Sequence, residues 1–168
     1  MANIIAGDRY KTPFAGEDGN VSSWSGYYKH PAAGTVGDTI ELCEVPAGAK
    51  IDEIDLIWAG LTNTTATIAI GWKYKDGNAG GAANGRTGTP SATAFRAATA
   101  VGAAAGNVQL ATLPHGQFPV STDANIAKAT TPGVVDSPII LYITNGVAVF
   151  PANGEVYVKA QGEFVGTK

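Results

Sequence analysis

The chain has 168 residues, enough for one domain together with an arm or long loops, and a formal charge of only −3. Charged residues make up 15% of it, against about a quarter in typical proteins, and Lys and Arg are scattered, which excludes the basic footprint of a nucleic-acid binder. Its 22 glycines and 9 prolines interrupt the chain too often for long helices, Cys43 is the only cysteine and so excludes an internal disulfide, and no apolar run approaches the ~20 residues of a membrane span.

Residues 1–35 read as an extended N-terminal arm. Pro13, Gly16, Gly19, Gly26, Pro31 and Gly34 break any regular pattern, yet the stretch carries Tyr10, Phe14, Trp24, Tyr27 and Tyr28. Disordered tails are poor in aromatics, so these five read as anchors that dock on the chain's own domain or on a neighbour. On this reading, removal of residues 1–30 leaves a folded domain that has lost its partner contact. Trp24, Tyr27 and Tyr28 also permit a second reading, a platform that stacks sugar rings.

Residues 36–168 read as the domain proper. Thr39 to Cys43 is a short apolar run ending at the turn Val45-Pro46-Ala47-Gly48. Ile54, Leu56 and Trp58 alternate with Glu53, Asp55 and Ile57, and Ile68, Ile70, Trp72 and Tyr74 alternate with Thr67, Ala69, Gly71 and Lys73. The spacing predicts a hairpin of these two strands about Asn63-Thr64-Thr65, with Asp76-Gly77 closing the second. Residues 77–90 are low-complexity loop. Ala92 to Ala100, rich in alanine, is predicted as one short helix anchored by Phe95. Val108–Leu113, Phe118–Val120, Ile139–Thr144 and Glu155–Phe164 complete seven or eight short strands. That count predicts an all-β, jelly-roll-like antiparallel β-sandwich with an extended N-terminal arm.

Motifs that carry chemistry are weak. Gly80 and Gly85-Arg86-Thr87 approach a phosphate-binding loop, but arginine replaces the lysine and Gly88-Thr89-Pro90 prevents the helix that should follow. Cys43 sits in an apolar strand, His30 precedes a proline and His115 lies in a Pro-His-Gly turn, so neither a thiol–imidazole pair nor a metal-ligand spacing is evident. Asp52, Glu53 and Asp55 most simply mark a solvated face, since a calcium site needs about 6–8 converging oxygens. Gly16-Glu17-Asp18-Gly19-Asn20 does not match a calcium loop either. We therefore expect no enzyme, no cofactor, no metal, no nucleic-acid partner and no membrane partner.

Several phrases carry a resemblance. Val45-Pro46-Ala47-Gly48-Ala49-Lys50-Ile51-Asp52-Glu53-Ile54-Asp55-Leu56, Ile70-Gly71-Trp72-Lys73-Tyr74-Lys75-Asp76-Gly77 and Thr93-Ala94-Phe95-Arg96-Ala97-Ala98-Thr99 resemble small structural proteins of tailed-bacteriophage virions. The ending from Val156 to Thr167 is similar to their last strand, and the match spans residues 39–168. The likeness is greatest to head decoration, or cement, proteins. It implies a jelly-roll-like sandwich made in the host cytoplasm, present in many copies as a homotrimer on the outer capsid surface, with the major capsid protein as partner. A neck, tail or fibre position is the alternative, and a carbohydrate-binding module the second alternative. The phrases mark strands and turns, so no binding residue is carried over.

Overall fold

The computed structural model describes residues 2–6, 21–61, 65–77, 90–101, 105–110, 127–128, 131–135 and 137–164. In chain order the strands are β1 (Asn3–Ile5), β2 (Val21–Lys29), β3 (Thr39–Val45), β4 (Ala49–Ala59), β5 (Thr67–Tyr74) and β6 (Ser91–Ala100). They continue with β7 (Gly106–Leu110), β8 (Ala127–Lys128), β9 (Thr131–Val135), β10 (Ile139–Gly146) and β11 (Glu155–Phe164). The described residues are thus all-β and contain no helix. The strands form two sheets, ordered β1-β3-β10-β5-β6 and β2-β11-β4-β9-β8, with β7 also on β4. β1 runs parallel to β3, and the other pairings are antiparallel.

The core follows from the period-2 rows that the registers align. In the first sheet Ile40, Ile143 and Ile70 stand side by side, as do Cys43, Leu141 and Trp72, and then Val45, Ile139 and Tyr74. In the second, Trp24, Ala160 and Ile54 form one row and Gly26, Val158 and Leu56 the next. These inward residues are buried, and the Trp72 and Tyr74 rings meet edge-on at 5.1 Å. The indole of Trp24 beside the methyl of Ala160 is the large-against-small complement that close packing needs. One glycine is dictated by this packing. A Cβ on Gly26 would overlap the carbonyl oxygen of Leu42, the extra residue of a bulge where β3 pairs with β10, so the two sheets come together backbone to backbone at that point.

Three expectations change. Ser91–Ala100 is the strand β6 and not a helix: it pairs with β5 through Thr67–Ala100, Ile68–Thr99, Ile70–Arg96 and Trp72–Ser91. Alanine's helix preference is worth less than about 1 kcal/mol per residue and yields to this pairing, aided by the β-branched Thr93 and Thr99. β4 and β5 do not form a hairpin but lie in different sheets, joined by a crossing that includes Gly60 at φ 67° and the buried Leu61 and Ala66. Alternation fixes which face of a strand is apolar but not which sheet the strand joins.

The third concerns residues 1–35, whose end is not a structural boundary. β1 lies in the first sheet, and β2 pairs with β11 over nine residues, from Lys29–Glu155 to Val21–Glu163. Removing residues 1–30 therefore takes a strand from each sheet and bares Trp24's side of the core. Of the other expected strands, Val108–Leu113 corresponds to β7 as far as Leu110, while Phe118–Val120 lies outside the described residues.

Candidate functional site

The five aromatic anchors have different surroundings. Tyr10 and Phe14 lie outside the described residues. On β2 the pleat sends Trp24 and Tyr28 inward and Tyr27 outward: Trp24 is 1% exposed, Tyr28 packs against the core, and Tyr27 is 40% exposed. Tyr27 is therefore on the opposite face from Trp24 and Tyr28, and a sugar platform built from all three is not formed.

Tyr27 instead joins residues remote in sequence. On the outer face of the second sheet, Tyr27 stands opposite Tyr157 of β11, which stands opposite Ile57 of β4. With Ala59 and Glu155 these line a shallow groove of about 260 Å³. Glu155 is ion-paired with Lys29 at 3.3 Å. Loss of hydration and then the hydrogen bond and charge of Glu155 push the Tyr27 hydroxyl above its ordinary range. Sequence reading missed Ile57 and Tyr157 as surface partners, because each sits in a strand whose alternate residues are core. The signal lay in the phase: both fall on the polar phase of their strands.

The outer face of the first sheet is closed by its own polar contacts. Glu41, 3% exposed, accepts a hydrogen bond from Asn3 Nδ2 at 2.7 Å and pairs with Lys73, whose ammonium lies 5.6 Å from the centre of the Tyr142 ring. Lys75 pairs with Glu44 at 2.9 Å. Asp38 accepts hydrogen bonds from the backbone N–H groups of Ala2 (2.8 Å) and Thr35 (2.7 Å), which hold its carboxyl below the usual range. These contacts fasten β1 and the loop before β3.

The remaining chemical candidates are structural. Cys43 is buried and its thiol is pushed up to about 12, the reverse of what a nucleophile needs. His30, 2% exposed, packs edge-on against Tyr28 at 4.9 Å and Phe150 at 5.1 Å, and its backbone N–H donates to Gly154. Burial lowers its pKa, against the opposing pull of Asp38. Asp52 falls at a bulge where β4 meets β11, and burial raises the pKa of both Asp52 and Asp55. Among the described residues no group of three or more His, Cys, Asp or Glu side chains converges as a metal site. His115, the Gly80–Thr87 loop and the Gly16–Asn20 turn lie outside the described residues.

No family model and no curated protein matches the sequence. The fold does have likenesses. Over 99% of its length the chain superposes on a complete chain of the capsid of Ralstonia phage GP4, with a TM-score of 0.68 at 18% identity. A chain of the cyanophage Pam1 capsid asymmetric unit matches at TM-score 0.54 and 20% identity, with 93% of each chain covered. A chain of the acid-stable capsid of Helicobacter pylori bacteriophage KHP30 matches at 0.51 and 10%, covering 89% of this chain and 92% of that one. The β-sandwich described above is therefore a fold found in chains of phage capsid structures.

Proposed function

We propose that the chain is a non-enzymatic structural protein of a tailed-phage virion, and that it decorates the outer head surface by binding the major capsid protein lattice. The observation that carries this reading is the likeness to a chain of a phage capsid over 99% of this chain and 100% of that one. The low charge and the Ala-, Gly- and Thr-rich composition agree with a surface that lies against other protein.

The mechanism is mechanical. Tyr10, Phe14 and the outward Tyr27 are the anchors we retain for the capsid partner, while Trp24 and Tyr28 hold the sandwich together. Apolar contact contributes about 25 cal/mol per Å² before ordering costs, and a modest gain per copy is multiplied over many identical sites, with a homotrimer as the unit. Quantitative mass spectrometry of purified source particles tests the reading. A ratio to the major capsid protein near one, or a simple fraction of it such as one third, is expected. A handful of copies per particle moves the chain to the neck or tail, and its absence overturns the virion reading.

A further inference from the structure

β6 closes one end of the first sheet, and among the described residues its outer edge pairs with no strand. Ala92, Thr93, Ala97, Ala98, Thr99 and Ala100 along it are exposed. Natural edge strands are usually blunted by lysine, proline or shortness, whereas β6 has ten residues with no lysine, no proline and no carboxylate. Its single charge is Arg96.

Arg96 is opposite Ile70, on the inner side of the first sheet, and reaches across to the second, where its guanidinium lies 5.8 Å from the centre of the Trp58 ring. Nη1 is shut off from solvent and has no hydrogen-bond acceptor. No carboxylate pairs with Arg96 among the described residues. A cation partly withdrawn from water with no counter-charge among the described residues is costly, and it sits at the mouth between the sheets, directly inside a strand edge that no described strand covers.

These two observations converge. A strand added to the free edge of β6 would turn alternate side chains toward that mouth, and the one opposite Arg96 would have its Cβ about 5 Å away, within reach of the guanidinium. We infer that β6 is a docking edge for an extended, acidic segment of a neighbouring virion subunit, which pairs its main chain with β6 and sets a carboxylate against Arg96. Two β6 edges paired with each other bring cations and no carboxylate to the mouth, so a second copy of the same strand does not answer the charge. The inference rests on the virion reading and assigns the surface and chemistry of its contact.

The test uses full-length protein and phage heads assembled without it. Binding is measured for the wild type, R96K, R96Q and R96E, after each variant's melting midpoint has been checked. Hydrogen exchange of the β6 amides is then compared between free and head-bound wild type. The expected result is binding weakened on the order of 10- to 100-fold by R96E, less by R96K, and slowed exchange across residues 92–100 on the head. If R96E does not fold, R96Q carries the same comparison. Unchanged β6 exchange, or charge-removed variants that bind like wild type, overturns the docking edge while the virion reading stands. Failure of the wild type itself to bind heads overturns the virion reading, and this partner with it.

Discussion

Trp24 and Tyr27, three residues apart on β2, should respond to mutation in opposite ways. Trp24 is 1% exposed, in a row with Ala160 and Ile54, so Trp24→Ala removes an indole from between the two sheets, and the adjoining Ala160 methyl is too small to fill the space. Truncations of this kind cost about 3–5 kcal/mol, a large part of the roughly 5–15 kcal/mol that stabilises a typical domain. At about 2–4 °C per kcal/mol for a chain of this length, the melting midpoint should fall by roughly 6–20 °C. Tyr27 is 40% exposed, and Tyr27→Ala should stay within about 0.5 kcal/mol of the wild type. Urea denaturation followed by far-ultraviolet circular dichroism reads both. Equal, small shifts for the two variants would refute the placement of β2 in the sandwich and return residues 21–29 to a peripheral arm.

Four further outcomes follow from the same structure. Gly26→Val should destabilise by at least the roughly 1–3 kcal/mol of ordinary overpacking, because its Cβ meets the Leu42 carbonyl rather than a movable side chain, and a melt checks it. Cys43 should resist thiol reagents in the native state and react only at the rate of unfolding, as timed labelling with and without urea would report. Asp38→Ala should free the Ala2 and Thr35 amides and speed hydrogen exchange in β1, with β10 unaffected. Burial holds the folded pKa of His30 below the ordinary imidazole value of 6.5, so its neutral-state contribution is complete above that pH and declines as pH falls from about 6.5 toward the folded value. Melts at pH 7 and 5 should show a slope that His30→Phe flattens.

What could be read from the sequence was the fold class and most strands; what could not was their assignment to sheets. Period-2 alternation located β4, β5 and β11, and short apolar runs located β3 and β10, while Gly48 and Gly77, both with positive φ, mark turns that Pro46 and the Asp76-Gly77 dipeptide announced. The same alternation gave no hint that β4 and β5 part company at Gly60. β2 escaped notice because its inward phase reads Ser22, Trp24, Gly26, Tyr28, a sequence with little apolar signature whose glycine is needed only for a contact with β3. β6 was misread because alanine favours helix in isolation, and only its neighbour β5 supplies the hydrogen bonds that outweigh that preference. For the surface, single aromatics were visible but cross-strand rows were not: Tyr27, Tyr157 and Ile57 are brought together by register alone.

The two outer faces of the sandwich are unequal, and that inequality bears on how such a chain engages a lattice. On the first sheet Glu41, Lys73, Glu44 and Lys75 are already paired within the chain, so covering that face would desolvate satisfied ion pairs for little return. On the second sheet the Tyr27–Tyr157–Ile57 row offers apolar area flanked by the Lys29–Glu155 pair on one side and by Asp55 and Lys159 on the other. Among the described residues the β6 edge has no strand partner and its cation no carboxylate. Contact at the second sheet gains from apolar burial and contact at the β6 edge from charge compensation, while contact at the first face, where Ile5 is exposed, must also desolvate those pairs. On the virion reading, the chain therefore meets its neighbours through the second sheet's outer face and the β6 edge. Charge reversal at Lys73 should then leave head binding unchanged in any variant that folds, whereas reversal at Arg96 should not.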